Sequence, residues 1–321
     1  LRFVTGFCLA ILYVVIESWL NEAATNENRG IVFGTYAMIT LLVLAAGQMM
    51  TLLYDPAGMQ LFAIASVLVS LAAIPVALST SPSPELPETA HVDLRGLYRI
   101  SPAGTLGCLA AGFANGAFWA LAPVFTSWVS ADSALAAWFM TAAVLGGAAA
   151  QWPLGLLSDR LGRRHVLTLV AVVAAIVGAL LYGLSGHIGT VTICVLGALW
   201  GALAFPLYTI AVAHANDYAD PSEYVNVSSG LLLMYGIGAT VGPFVASTMM
   251  TAISSRLLFG FSFAVHALLA GFALYRYFVR STPGDTPMEF GDAFAATQTA
   301  SPVYEEEIAS DAEALRPGAG D

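Results

Sequence analysis

Apolar residues run almost unbroken through nine stretches of the 321-residue chain, at about 2–20, 30–53, 57–79, 103–127, 134–157, 166–184, 188–213, 225–252 and 257–279. Each is close to the roughly 20 residues a helix needs to cross a hydrocarbon core about 30 Å thick. Backbone polar groups in lipid must be satisfied within the segment, and no run alternates like a barrel strand, so the pattern predicts helices. Spans three (LFAIASVLVSLAAIPVALS) and six (VLTLVAVVAAIVGALLYG) are almost wholly apolar, whereas four, seven and eight carry polar and aromatic interruptions. Residues 80–102 form the longest loop of the membrane part, rich in Pro, Ser and acids, and divide three spans from six. Beyond residue 280 the composition turns to Pro, Ala, Thr and Glu, with Glu at 305–307, which reads as a disordered acidic tail.

Between spans five and six lies Gly155-x-x-x-Asp159-Arg160-x-Gly162-Arg163-Arg164, which holds three of the eleven arginines. The chain has no lysine. Cytoplasmic loops concentrate basic residues. With this hairpin inside, the alternation of spans also brings Arg29, Arg95, Arg99, Arg276 and Arg280 inside, and leaves Arg256 in an outer loop with Arg2 at the outer end of span one. The expected C-terminus is cytoplasmic.

Composition agrees with the pattern. Hydrophobic residues make up 58% and charged residues 10%, against about 25% charged in a soluble domain. Of the 21 acids nine lie after residue 280, so the net charge of −10 describes the tail and not the membrane part. No nucleic-acid partner is expected. No G-x-x-x-x-G-K loop, nucleophile triad or metal-ligand spacing is present in the sequence. We therefore expect no enzyme activity, no metal and no cofactor.

An internal repeat is visible. Leu12-Tyr13 with Asn21-Glu22 recurs as Leu207-Tyr208 with Asn216-Asp217, 195 residues on, and Gly30 recurs as Gly230. Span one then pairs with seven, two with eight and three with nine, while spans four to six lack partners. This register leads us to expect three further spans upstream of Leu1, with a second copy of the hairpin motif.

The Gly155–Arg164 motif resembles the signature loop of the major facilitator superfamily, here the copy between its eighth and ninth helices. Arg2-x-x-Thr5-Gly6 resembles the family's fourth-helix motif. Gly238-x-x-x-Gly242-Pro243-x-x-Ala246-Ser247 is similar to the exporter pattern G-x-x-x-G-P-x-x-G-G, in the symmetry-related eleventh helix and with Ala-Ser replacing Gly-Gly. Residues 17–21 (ESWLN), Asn28-Arg29-Gly30 and 213–217 (AHAND) resemble the YcaD-like bacterial branch. The resemblance implies an all-α membrane protein with the major facilitator fold, of which helices 4–12, nine of twelve, are present. It divides the chain into 1–79 (helices 4–6), a cytoplasmic linker at 80–102, a six-helix half at 103–280 (helices 7–12) and the tail at 281–321. It also implies that spans one, two, four, five, seven and eight line a cavity and that three, six and nine are peripheral.

Candidate site residues follow. Asn115 and, one turn on, Trp119 share a face of span four; a mid-membrane amide must be paired, so it faces the bundle, as a substrate contact or an interhelical bond. Tyr208 and Tyr235 could add phenol donors, with Gln48 and Gln151 as weaker candidates. The gate and signature loop comprise Gly155, Asp159, Arg160, Gly162, Arg163 and Arg164, with Asp159 expected to meet the start of span two at Arg29. Glu17, with Arg2, is the proton-coupling candidate, the alternative for Glu17 being a headgroup-level acid. His214 reads as interfacial, and His266 as a neutral histidine bonded to a neighbouring helix. The expected function is alternating-access transport of a small solute by a secondary transporter in the bacterial inner membrane, its partners the lipid bilayer, the solute and protons. The alternative is a membrane sensor that keeps the fold without transporting.

Overall fold

The computed structural model describes residues 2–23, 29–55, 58–78, 93–219 and 223–279. The side chains of Arg2, Glu17 and Arg29 lie outside the described residues, as does the tail. The described part is helical throughout: α1 (Arg2–Ala23), α2 (Arg29–Met50), α3 (Gln60–Leu78), α4 (Leu94–Ile100), α5 (Pro102–Val129), α6 (Ala134–Leu161), α7 (Arg163–Leu184), α8 (Thr190–Ala204), α9 (Pro206–Asn216), α10 (Tyr224–Ala252) and α11 (Leu257–Val279). Seven segments are long and apolar enough to cross a bilayer, with α8 and α9 together forming one of them. At 22 residues each, α1 and α2 also have spanning length.

Two elements differ from the sequence pattern. The stretch expected as a linker contains α4, started by Asp93, whose carboxylate accepts from the Arg95 N–H at 3.0 Å. Leu97 anchors it as its buried residue, with Ile100 partly buried beside the same core. Span seven, expected as one helix, is broken between α8 and α9. Pro206 at the start of α9 has no N–H to continue the ladder, so the chain turns at Phe205.

The bundle is built on three closely packed pairs, α5 with α10, α6 with α8 and α7 with α11. In lipid, where tails are as apolar as side chains, such contacts depend on small residues that admit another backbone. A Cβ at Gly112 or Gly116 would run into α10 at Tyr235 or Ala239, and one at Gly238 or Gly242 into α5 at Leu109 or Phe113. Gly146 and Gly201 serve the α6–α8 pair in the same way against Ala198 and Ala143. Gly236, two residues before Gly238 on the same helix, meets nothing within 4 Å.

The core has two layers. One, with Leu97, Val166, Leu167, Leu207, Ile210, Leu231 and Leu269, fills the end that carries the α6–α7 joint. The other is aromatic: Phe118 stacks on Trp200 at 4.7 Å, and Phe125 meets Phe259 edge-on at 4.8 Å. From the first three spans, α2 packs against α6, with Ala45 buried. No residue of α3 is buried.

Candidate functional site

Two groups of polar side chains stand out from this apolar bundle. The first lies at mid-span. Asn115, in the middle of α5, is 3% exposed, and its Oδ1 has no hydrogen-bond partner. Its amide lies close to the Tyr235 hydroxyl on α10. Tyr235 in turn packs against Tyr208 of α9, ring centroids 4.8 Å apart. Three separate helices therefore bring an amide and two phenols together. Gln151, expected to be a weaker candidate, reaches the same helix as Tyr208 by donating to Thr209 Oγ1 at 3.0 Å. Gln48 is half-buried on α2.

Trp119 has a different surrounding from Asn115. It stacks on Phe205 at 5.7 Å with the rings 13° from parallel, and meets Phe118 edge-on. Phe205 also touches Trp200 and Phe118 at 5.7 Å each. The helix break at Phe205–Pro206 is thus held by an aromatic cluster, and Trp119 is part of it. Gly147 leaves the room for the Phe205 ring.

The second group lies at the α6–α7 joint. Gly162 has φ +87°, a left-handed conformation that glycine adopts without strain, and is the single residue between the end of α6 and the start of α7. Arg163, the first residue of α7, is 3% exposed. Its guanidinium donates to Asp159 Oδ1 at 3.1 Å, to Asp217 Oδ1 at 2.6 Å and to the Ala213 carbonyl at 2.8 Å. A buried guanidinium needs this many acceptors, because charge taken out of water must be paired and hydrogen-bonded. Burial pushes the Asp217 carboxyl up to about 6, opposing the pull of Arg163 and aided by repulsion from Asp159. Arg160 is exposed, Gly155 is buried, and Arg164 donates to the backbone carbonyl of Arg276 on α11.

Asp217 is the residue that sequence reasoning missed. Asn216-Asp217 was visible as a repeat of Asn21-Glu22, but its role rests on an arginine 54 positions away. Asp159 pairs with Arg163, four residues on across the α6–α7 joint; any approach to the Arg29 side chain lies outside the described residues. His266 corrects an expectation. It is fully buried, and its Nδ1 lies 2.8 Å from the Ser262 carbonyl on its own helix. The link to a neighbour is indirect: the Trp200 indole donates to Ser262 Oγ at 2.9 Å, which lies 3.3 Å from His266 Nδ1. His214 is 5% exposed and packs edge-on to Tyr218 at 5.2 Å.

Comparison with known proteins fits this architecture. The family profile described as Major Facilitator Superfamily matches residues 104–305, more than half of the chain. An uncharacterized MFS-type transporter of Yersinia enterocolitica is 28% identical over 275 residues, covering 85% of this chain and 69% of its own. One from Enterobacter sp. is 30% identical over 261 residues, 80% of this chain and 66% of its own. The uncharacterized MFS-type transporter YcaD of Escherichia coli is 28% identical over 260 residues, with the same two coverages of 80% and 66%. The chain thus spans about two thirds of the length of these relatives.

Proposed function

The chain belongs to the Major Facilitator Superfamily, and from that premise we propose that it forms part of a secondary transporter that moves a small solute across a bacterial inner membrane by alternating access. The observation that carries the reading is the mid-span wall formed by Asn115, Tyr208 and Tyr235 on three different helices. An amide oxygen left without a partner in an apolar bundle costs free energy, and a polar solute could supply the missing donor. Binding at mid-depth between two halves is how secondary transporters of this architecture work, a general property of such folds.

In the same reading the α6–α7 joint faces the cytoplasm, because it and α4 gather Arg95, Arg99, Arg160, Arg163 and Arg164. Arg163, held between Asp159 and Asp217, ties the end of α6 to the end of α9. It stiffens the cytoplasmic edge of the six-helix unit so that the unit moves as one body. Asp159 is then positioned at the edge of α6, the helix against which α2 packs. Proton coupling, if the transporter uses it, falls to Glu17 with Arg2.

The test is transport in proteoliposomes. The purified protein is reconstituted, and a panel of radiolabelled solutes is screened for uptake or efflux with and without an imposed proton gradient. Solute flux that is lost in Asn115→Ala, while the protein still inserts and elutes as a single species, supports the reading. Absence of flux for any solute that binds the protein would favour a sensor that keeps the fold.

A further inference from the structure

A cavity of about 510 Å³ lies between α6 and α8, towards the starts of both helices and away from the α6–α7 joint. Leu135, Trp138 and Thr141 line it from α6, and Val191 and Cys194 from α8, with Asp132 just ahead of α6. Its size is within the range of about 300–1,000 Å³ usual for sites that hold drug-sized molecules. It is distinct from the mid-span wall. Gln151, which reaches α9 at Thr209, lies further along α6 than Thr141 by roughly 15 Å.

Two polar groups in this mostly apolar lining point to a ligand. Thr141 is 8% exposed, and its Oγ1 has no hydrogen-bond partner. Other helical threonines here donate to the carbonyl one turn back, as Thr40, Thr105 and Thr168 do; Thr141 does not. A buried hydroxyl left this way costs free energy that a bound polar atom recovers. Asp132 is the second group. Its Oδ1 accepts from the Ala134 N–H at 2.9 Å, which fixes the carboxylate at the start of α6. The ion pairs among the described residues are those of Arg163, and no basic side chain among them lines the cavity. Trp138, between Asp132 and Thr141 in the chain, adds an aromatic ring of the kind that attracts cations.

We propose that this cavity binds an amphiphilic organic cation. Its charged nitrogen sits beside Asp132 and Trp138, its apolar body lies along Leu135 and Val191, and a hydrogen-bond donor at its far end meets Thr141. Thr141 is roughly 10 Å along α6 from the helix start, so the two polar ends of the ligand must be about that far apart. Binding here is read without solute flux, so it stands or falls separately from the transport reading.

A matched pair of compounds tests this. Tetracaine has an ammonium at one end, an aromatic ester body and an arylamine N–H at the other end. Butamben keeps the body and the arylamine but lacks the ammonium. The full chain in maltoside micelles is treated with N-ethylmaleimide in the presence of either compound or of phosphatidylethanolamine. Alkylation of Cys194 is followed by peptide mass spectrometry, with the exposed Cys8 as the control. Val191→Cys, at an exposed position of the same lining, is a second reporter that serves even where Cys194 reacts slowly. Tetracaine should slow alkylation of the cavity thiol about fivefold more than butamben does, and leave Cys8 unchanged. The difference should vanish in Asp132→Asn, which keeps an acceptor for the Ala134 N–H, and tetracaine protection should weaken in Thr141→Val. No protection by tetracaine at either reporter, or equal protection by the two compounds, overturns the proposal. So does a difference that survives in Asp132→Asn, or full protection in Thr141→Val. Protection by phosphatidylethanolamine without protection by tetracaine also overturns it and makes the cavity a lipid site.

Discussion

Arg163 and Asp217, 54 residues apart in the chain, meet at 2.6 Å, with the arginine side chain 2% exposed and the aspartate 14%. This pair fastens the start of α7 to the end of α9, and Asp159 at 3.1 Å adds the end of α6. Breaking a buried pair from one side leaves the other charge uncompensated, which costs about 3–5 kcal/mol, whereas removing both charges costs much less. Arg163→Ala and Asp217→Ala should each lower the melting temperature in detergent. The double variant should be more stable than the sum of the two losses predicts, a coupling of at least about 1 kcal/mol. Simple additivity in this cycle would mean that the pair contributes nothing.

The Asp217 carboxyl stands at about 6 in the folded protein against 3.8 for a free one, because burial outweighs the attraction of Arg163. The folded state then holds a proton that the unfolded state releases between those two values, so this group costs stability as pH rises through the window. The melting temperature of the wild type, measured relative to that of Asp217→Asn, should fall as pH is raised from about 4 to 7 and level off above. The span corresponds to on the order of 1–3 kcal/mol. A difference that stays flat with pH would mean that Asp217 is ionised throughout.

Glycine positions on α10 offer a contrast. Gly242 faces the α5 backbone at Phe113, while Gly236 has nothing within 4 Å. Gly242→Val should force α5 and α10 apart at a cost of about 1–3 kcal/mol or more, and Gly236→Val should leave the melting temperature near that of the wild type. Comparable losses in both would show that the α5–α10 contact does not depend on close backbone approach at Gly242.

The helical architecture was legible because hydrophobicity in lipid is a nearly sufficient signal: eight of the nine predicted spans each correspond to one helix within a few residues at most ends. The break at Phe205–Pro206 was not, because the apolar character continues across it and Phe205, Trp119 and Trp200 come together only in three dimensions. Asn115, Tyr208 and Tyr235 were readable as polar interruptions of apolar runs. Asp217 was not, since an acid at the end of a span reads as ordinary solvated charge until Arg163 is brought beside it. Trp119 was paired with Asn115 by its spacing, yet its ring belongs to the packing around the helix break.

That separation sharpens the test of the cavity. Asn115→Ala, Tyr208→Phe and Tyr235→Phe each remove a polar group from the mid-span wall at a cost to the fold of only about 1 kcal/mol. Trp119→Ala also removes a stack on Phe205 and should cost about 3–5 kcal/mol. Flux in proteoliposomes is expected to fall about tenfold or more in Asn115→Ala at near-normal melting temperature, whereas in Trp119→Ala flux and stability should fall together. Normal flux in Asn115→Ala would move the substrate site elsewhere.

Asp159 poses the question of the gate. Its carboxylate bonds to Arg163 at the start of the next helix, and it sits in the last turn of α6, the helix that packs against α2. The start of α2, at Arg29, is a helix N-terminus, whose positive dipole end favours an anion. Two roles can therefore be separated. If Asp159 only orients Arg163, Asp217→Asn should disturb the cytoplasmic edge about as much as Asp159→Asn does, since each removes one carboxylate from the same guanidinium. If Asp159 also bridges the halves, only Asp159→Asn should open the cytoplasmic side. A charge-assisted contact is worth about 1.5–3 kcal/mol, enough to shift an open–closed equilibrium by tenfold or more. Single cysteines placed on cytoplasmic loops in a background without native cysteines, labelled with a membrane-impermeant maleimide in inside-out vesicles, would read that shift. We expect faster labelling and reduced flux in Asp159→Asn, and little change in labelling in Asp217→Asn. Equal labelling rates in the two variants would confine Asp159 to holding Arg163.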